Sequence, residues 1–179
     1  MINEQKKNIR KEITEKKSLI SLEEKKAKSK ILFNKIEKIP EFQNSKVVMA
    51  YWSMPDEVFT HDFVLKWFNE KIIILPVVTG SELELKVFSG LQNMRIGEAY
   101  GIEEPIGVSF TRFNEIDMII VPGVAFDKNN NRLGRGKAYY DKILNKTQAL
   151  KLGICFDFQY LKNVPVDQHD VKMDMVMYE

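Results

Sequence analysis

The chain has 179 residues, 44% hydrophobic and 29% charged, with a net charge of +2, which fits one globular domain and excludes disordered and collagen-like classes. Its single cysteine, Cys155, excludes an internal disulfide and a cysteine-based zinc cluster. No apolar run approaches the roughly 18 residues that span a bilayer, and residues 1–12 lack the apolar middle of a secretory signal, so we expect a cytoplasmic protein with no membrane partner.

The amino-terminal segment is basic. Residues 1–38 carry a net charge of +6, while the remainder carries −4. Apolar residues recur at helical spacing, and "SLEE" at 21–24 matches a capping box, so we predict two helices, the second starting at Ser21 after a break near Leu19. The charge has two interpretations. It forms solvated lysine faces, or Lys6, Lys7 and Arg10 converge on an anion.

After Pro40 the pattern changes to short apolar runs bounded by turn residues, which are typical of strands. These runs are 46–52, 71–78, 83–88, 116–123, 151–156 and 173–179. "THDFVLKWFNE" predicts a helix capped by Thr60, and "KAYYDKILNK" another that starts near Lys137. The alternation predicts a single-domain α/β fold of three layers, with a mixed, largely parallel sheet and helices on both faces. We expect helices 1–38 to pack on this core within one domain, 1–179.

A loop of about fifteen residues is predicted between the strand that ends near Pro122 and the helix near Lys137. Val124, Phe126 and Leu133 supply apolar anchors that argue against disorder. Ligands of open α/β sheets bind beyond the carboxyl ends of strands, where this loop must lie. The loop is therefore a candidate site.

Gly134 and Gly136 permit positive φ and close backbone approach, which suits a phosphate group. Arg132, Arg135 and Lys137 add positive charge, and Asp141, one turn beyond Lys137, could hold Mg²⁺. The alternative is a glycine-rich turn with a Lys137–Asp141 helix pair of about 0.3–0.5 kcal/mol. The residues alone leave both open, since neither a Walker A loop nor a dinucleotide fingerprint matches.

The segment "PGVAFDKNNNRLGRGKAYYD" (122–141) resembles the signature of 5-formyltetrahydrofolate cyclo-ligases, also called methenyltetrahydrofolate synthetases. "KKNIRKEI", "YWSMPDEVFTHDFV" and "VPVDQHDVKMDMVMYE" are similar to other segments of that family in order and spacing, so the resemblance spans nearly the whole chain. It implies ATP- and Mg²⁺-dependent conversion of 5-formyltetrahydrofolate to 5,10-methenyltetrahydrofolate, ADP and phosphate through a phosphorylated formyl intermediate. The alternative is a folate- or nucleotide-binding module of the same fold without this activity.

The resemblance also implies site residues. Arg135 and Lys137 would be catalytic, and Asp141 and Asp170 would ligate the metal. The implied ATP contacts are Lys6, Lys7, Asn8, Ile9, Arg10, Arg132, Leu133, Gly134, Arg135, Gly136, Lys137, Ala138, Tyr139 and Tyr140. The implied substrate contacts are Arg10, Met54, Glu57, Arg135, Gly136, Lys137, Ala138 and Tyr139.

Two positions depart from the family pattern. Ala138 stands where members usually have glycine, so a positive φ there would strain the loop by roughly 1 kcal/mol or more, whereas a helical φ would be harmless. Phe59 stands where members generally have an acidic residue, which could loosen folate binding or shift that task to Asp56 or Glu57.

The expected partner is a small molecule, 5-formyltetrahydrofolate with or without a polyglutamate tail. We expect a monomer. Nucleic acid is not an expected partner, because Phe33 is the only aromatic residue among the first 38 and the charge excess is modest.

Overall fold

A six-stranded sheet forms the centre of the computed structural model, which describes residues 1–179. The chain forms the helices α1 (Ile2–Ser18), α2 (Leu22–Ile36), α3 (Pro40–Asn44), α4 (His61–Trp67) and α5 (Tyr139–Leu144). The strands are β1 (Val47–Met49), β2 (Ile72–Thr79), β3 (Glu82–Val87), β4 (Met94–Ile96), β5 (Glu103–Pro105), β6 (Met118–Pro122), β7 (Ala125–Asp127), β8 (Arg132–Leu133), β9 (Leu150–Cys155), β10 (Tyr160–Leu161) and β11 (Met175–Tyr178).

The strand order in the main sheet is β11-β9-β6-β1-β2-β3. Neighbouring strands are parallel except for the β2–β3 hairpin, in which Ile74 pairs with Val87 and Thr79 with Glu82. Parallel strands are buried on both faces, which explains why β1 and β6 read as continuous apolar runs. The predicted single-domain α/β fold with a mixed, largely parallel sheet is confirmed.

Helices cover both faces of this sheet, as predicted. Alternate strand residues such as Val48 and Ile73 pack under α2, α3 and α4, which contribute Leu32, Phe42 and Phe63 to one core. The intervening strand residues face the second core, which receives Ile143 and Leu144 from α5.

The two amino-terminal helices pack on different parts of the fold. Leu32, Phe33 and Ile36 of α2 belong to the larger core, whereas Ile13 of α1 packs against a small three-stranded sheet of order β10-β7-β8. The predicted break is confirmed, because α1 ends at Ser18 and the Ser21 hydroxyl accepts a hydrogen bond from the Glu24 N–H, 3.1 Å away. This arrangement lays α1 beside the candidate loop.

Three local predictions need correction. Thr60 precedes α4, but its hydroxyl donates to the Tyr51 carbonyl and accepts from the Ser53 N–H (3.2 Å), so its side chain does not cap the helix. The long loop holds the antiparallel β7–β8 pair, because Phe126 pairs with Arg132. Helix α5 begins at Tyr139, two residues after the predicted start at Lys137.

Candidate active site

A cleft of ≈ 410 Å³ opens beyond the carboxyl ends of β1 and β6. The chain after β1 contributes Tyr51 and Trp52, and the end of β6 contributes Pro122 and Gly123. This is the position at which open α/β sheets bind ligands. Most of the residues implied by the resemblance line it together, namely Lys6, Arg10, Met54, Glu57, every residue from 132 to 141, and Asp170.

Three of the implied ATP contacts do not line the cleft. Lys7 and Asn8 are exposed on α1, and Ile9 is half-buried against the small sheet. Only the face of α1 that carries Lys6 and Arg10 points into the cleft, because residues four apart lie on one side of a helix.

Asp127 holds the start of the loop. Its carboxylate is fully buried and accepts hydrogen bonds from the N–H groups of Asn129, Asn131 and Val164 (2.9, 3.1 and 2.8 Å) and from the Asn131 amide (3.0 Å). Burial raises the pKa of Asp127, but these hydrogen bonds outweigh that effect and leave the pKa below its ordinary value. These hydrogen bonds hold the β7–β8 turn, which leads into the cleft at Arg132.

Arg132 lies at the base of the cleft. Its guanidinium donates to the Asp141 carboxylate (Nη2–Oδ2, 3.1 Å) and to the Pro122 carbonyl (3.2 Å), and it lies over the Tyr140 ring, 5.7 Å from the centroid. A Cβ atom at Gly134 would lie 2.9 Å from Arg132 Nη1, so a larger residue there would displace the guanidinium. The guanidinium connects the loop to the first turn of α5.

Ala138 adopts a left-handed conformation, with φ 55° and ψ 17°, immediately before α5. The loop therefore requires positive φ at the position where the family usually has glycine. Helix α5 has six residues, and a macrodipole sums over aligned peptide units, so the positive charge of the loop comes chiefly from its side chains.

Two side chains of α1 reach the cleft. Arg10 Nε donates to the Gly134 carbonyl at 2.9 Å, which joins α1 to the loop. Lys6 Nζ lies 2.8 Å from Asp167 Oδ2 and 2.6 Å from Asp170 Oδ2. Burial lowers the pKa of Lys6, but its two carboxylate partners outweigh burial and raise that pKa above its ordinary value.

The two implied metal ligands, Asp141 and Asp170, both line the cleft. Asp141 Oδ1 accepts a hydrogen bond from the Val171 N–H (3.3 Å), which brings the segment with Asp170 against α5. The chain has no cluster of three or more acidic, histidine or cysteine side chains that could hold a metal. Mg²⁺ usually binds one or two carboxylates and takes its remaining ligands from water and phosphate oxygens. Asp141 and Asp170 supply two carboxylates to the cleft lining, and each pairs with a cation here, Asp141 with Arg132 and Asp170 with Lys6.

Aromatic and apolar groups form the opposite wall. Tyr51 and Trp52 are buried, and the Trp52 ring stacks on His61 with centroids 3.8 Å apart. The Met54 N–H donates to Glu57 Oε2 at 2.9 Å, which fixes the carboxylate at the cleft edge. Flat apolar surface beside a carboxylate suits a planar heterocycle that carries hydrogen-bond donors.

Phe59 lies outside this cleft. Its ring packs against His61 (4.5 Å) and under the Lys26 ammonium (4.9 Å) beside α2. Replacing an acid by Phe59 therefore adds no apolar group to the cleft in this conformation.

Arg135 connects the two walls. Its Nη2 lies 2.9 Å from Asp56 Oδ1 and 3.1 Å from Glu57 Oε1. The resemblance implied roles for Arg135 and Glu57, but nothing in the sequence indicated that side chains 78 residues apart form an ion pair.

Six further residues of the site or its support were not predicted from the sequence. They are Asp127, Asp167 and the hairpin residues Tyr100, Ile102, Glu103 and Glu104. Hairpin β4–β5 gave no sequence signal, because its strands have three residues each.

The protein has an α/β fold, and its cleft places a cation-rich loop opposite an aromatic wall. These features are those of an enzyme. The model of the 5-formyltetrahydrofolate cyclo-ligase family matches residues 2–179, and the chain belongs to that family of ligases. No helix is long and apolar enough to cross a membrane.

The relatives agree with this assignment over nearly their full lengths. A mouse protein named 5-formyltetrahydrofolate cyclo-ligase is 31% identical, over 99% of this chain and 95% of its own. A Haemophilus influenzae protein of the same name is 28% identical, over 97% of both chains. The NMR structure of the Aquifex aeolicus 5,10-methenyltetrahydrofolate synthetase is 34% identical, with a TM-score of 0.87 over 97% of this chain and 89% of its own.

Proposed function

We propose that this protein converts 5-formyltetrahydrofolate to 5,10-methenyltetrahydrofolate with conversion of ATP to ADP and phosphate. The observation that carries the proposal is the single cleft in which Arg10, Arg135 and Lys137 face Trp52 and Glu57. Cations on one wall suit a triphosphate, and the aromatic wall suits a pterin. Both substrates can therefore meet in one cleft.

The first step activates the formyl group. Its oxygen attacks the γ-phosphorus of ATP, the bond to the β–γ bridging oxygen breaks, and ADP leaves. The formyl oxygen now carries phosphate, which makes the formyl carbon more electrophilic. Negative charge spreads over the phosphoryl oxygens during transfer, and nearby cations stabilise it. Arg135 and Lys137 are the catalytic candidates, since both line the cleft and both side chains are exposed.

The second step closes the ring. N10 of the folate attacks the formyl carbon and forms the new C–N bond, the C–O bond to phosphate breaks, and N10 loses its proton. Phosphate departs far more readily than oxide, so the ATP-dependent step removes the main barrier. N10 and the formyl carbon belong to the same folate molecule, so the step is unimolecular, and the cleft would contribute by holding the folate in the conformation that brings N10 to that carbon.

The remaining implied residues would bind rather than react. We propose that Lys6, Arg10 and Arg132 to Tyr140 contact ATP. We propose that Met54 and Glu57 contact the folate, together with Arg10 and Arg135 to Tyr139. Lys7, Asn8 and Ile9 remain proposed contacts that would require the phosphate tail to extend past the described cleft. We propose that Asp141 and Asp170 hold Mg²⁺, which when bound neutralises phosphate charge.

Incubating the purified protein with 5-formyltetrahydrofolate, Mg²⁺ and ATP tests the function directly. We expect the methenyl chromophore and ADP to form in equal amounts. A protein that forms neither under varied pH and salt is not a cyclo-ligase.

The alternative, a binding module without catalysis, is motivated by Ala138, whose positive φ strains the loop. Calorimetry separates the two functions. Tight binding of the folate or of ATP, without release of ADP from the mixture, would favour the binding module.

A further inference from the structure

Two carboxylates accept hydrogen bonds from one edge of the Arg135 guanidinium. Asp56 receives two hydrogen bonds from Nη2 (2.9 and 3.0 Å), and Glu57 receives one from Nη2 and one from Nε (3.1 and 3.3 Å). The Nη1 amino group donates to neither carboxylate, and the side chain lines the cleft. A guanidinium held along one edge presents its remaining donors in a defined direction.

Lys17 supports Asp56 from the other side. It lies in the last turn of α1 with its side chain 8% exposed, and its Nζ is 3.2 Å from Asp56 Oδ2. Buried lysines require a partner, and Asp56 is the carboxylate within salt-bridge distance. Asp56 therefore pairs with both Lys17 and Arg135, and these two ion pairs link the end of α1 to the glycine-rich loop.

The charges of this cluster cancel. Lys17 and Arg135 contribute two positive charges, and Asp56 and Glu57 contribute two negative charges. Without Lys17 the cluster would carry a net negative charge at the edge of a cleft that must accept an anion. With Lys17, the Arg135 guanidinium can attract that anion while it stays oriented.

The ionisation of both partners agrees with this geometry. Burial lowers the pKa of Lys17, and Asp56 opposes part of that effect. Burial also raises the pKa of Asp56, but the charges of Lys17 and Arg135 outweigh it and hold that pKa below its ordinary value. Asp56 is thus ionised at neutral pH.

We propose that Asp56, supported by Lys17, is a positioning residue that orients the Arg135 guanidinium toward the anion in the cleft. The proposal rests on the proposed function, which gives Arg135 its phosphoryl group. Orientation before the substrate arrives removes an ordering cost from the transition state. Asp56 and Lys17 act through Arg135 and need not touch either substrate.

Steady-state kinetics distinguishes the two roles within the cluster. Asp56→Asn weakens the hydrogen bonds that orient Arg135, so we expect kcat to fall about tenfold or more. Because the same change removes a negative charge beside the cleft, the KM for ATP should not rise. Lys17→Met leaves a net negative cluster beside an oriented Arg135, so we expect the KM for ATP to rise severalfold while kcat changes less. Asp56→Glu keeps the carboxylate and should restore part of the lost kcat.

Matched controls carry the same chemical changes elsewhere. Lys16→Met alters the neighbouring lysine, which pairs with Glu12 on the α1 surface, and Asp62→Asn alters an exposed carboxylate on α4. Both should keep kcat and KM within about twofold, as expected of surface substitutions. If Asp56 were only structural, Asp56→Asn would lower thermal stability and the active fraction. It would not then lower kcat at an unchanged KM for ATP while Lys17→Met raises that KM.

A measurement on the ligand-free protein separates this inference from the proposed function. The Arg135 Nε–H resonance can be assigned by its absence in Arg135→Lys. This N–H donates to Glu57, so its exchange with solvent reports whether the guanidinium stays in place when Asp56 no longer holds Nη2. We expect Asp56→Asn to accelerate that exchange about tenfold, corresponding to a loss of about 1.4 kcal/mol of protection, and Asp62→Asn to leave it unchanged. Equal exchange in Asp56→Asn and the unsubstituted protein would overturn the positioning role, even if the protein is an active cyclo-ligase. Absence of turnover with accelerated exchange would instead overturn the proposed function and leave the positioning of Arg135 standing.

Discussion

Arg132 and Asp141 form an ion pair across the base of the cleft, with Nη2 and Oδ2 3.1 Å apart and side chains only 5% and 19% exposed. A buried guanidinium that loses its carboxylate keeps its desolvation cost without compensation. Asp141 therefore contributes to stability as well as to any metal site. Lys137, four residues earlier, is exposed, and no carboxylate lies within salt-bridge distance of it.

This contrast predicts different effects of two alanine variants. Asp141→Ala and Lys137→Ala should each reduce kcat by at least about a hundredfold, since each removes charge from the phosphoryl-transfer site. Asp141→Ala should also lower the free energy of unfolding by roughly 3 kcal/mol, because it leaves Arg132 unpaired. Lys137→Ala should stay within about 0.5 kcal/mol of the unsubstituted protein. Urea denaturation and kcat measure these quantities.

Lys128→Ala is the control for both variants, because Lys128 is exposed and does not line the cleft. It should retain stability and turnover. An Asp141→Ala protein as stable as the unsubstituted one would show that the Arg132 pair contributes nothing, and normal turnover in either cleft variant would remove that residue from the mechanism.

The conformation of Ala138 predicts a stabilising substitution. A left-handed φ costs a residue with a Cβ about 1 kcal/mol or more, whereas glycine adopts it freely. Ala138→Gly should therefore raise the free energy of unfolding by about 1 kcal/mol, measured by urea denaturation. Ala27→Gly, at an exposed position inside α2, should lower it by about 0.5–1 kcal/mol. If Ala138→Gly is destabilising by the same amount as Ala27→Gly, position 138 is not strained.

The sheet and much of the cleft lining could be predicted because their signals are local. Strand β6 is a continuous apolar run, and Gly134 lies where a Cβ atom would approach the Arg132 guanidinium closely. The cluster of cations at 132–137 is visible as a contiguous stretch. These features depend on residues near one another in the chain.

The remaining contacts of the site join segments that are far apart in the chain, so no local sequence pattern predicts them. The pair of Arg135 with Glu57 and the pair of Lys6 with Asp167 join segments 78 and 161 residues apart. Strands β8 and β10 have two residues each, too few to show a periodic pattern. The conformation at Ala138 was left open because alanine is compatible with either a helical or a strained loop, and its φ is set by the position of α5.

The different positions of Lys6 and Lys7 predict unequal effects on nucleotide binding. Lys6 has its side chain 8% exposed between Asp167 and Asp170, so Lys6→Met removes from the cleft a cation that two carboxylates hold in place. The KM for ATP should rise about 10- to 100-fold, the equivalent of one hydrogen bond to a charged group. Lys7 is exposed, so Lys7→Met should raise it by about fivefold or less. Equal effects would indicate that α1 rotates or shifts when ATP binds.

The four hydrogen bonds to Asp127 predict how stability depends on acid. Because its folded pKa lies below the ordinary value of 3.8, its contribution is fully present above that value and is lost as the pH falls through the lower folded pKa. Asp127→Asn keeps the shape of the side chain but offers one acceptor oxygen to donors that face two, so it should cost about 1–3 kcal/mol at pH 7. The difference in unfolding free energy between the two proteins should then shrink as the pH is lowered below about 4, since only the aspartate titrates. Urea denaturation from pH 7 to pH 3 measures that difference, with the exposed Asp62→Asn as the charge-matched control. A difference that stays constant to pH 3 would mean that Asp127 has the same pKa in the folded and unfolded chain and that its four hydrogen bonds do not favour the ionised form.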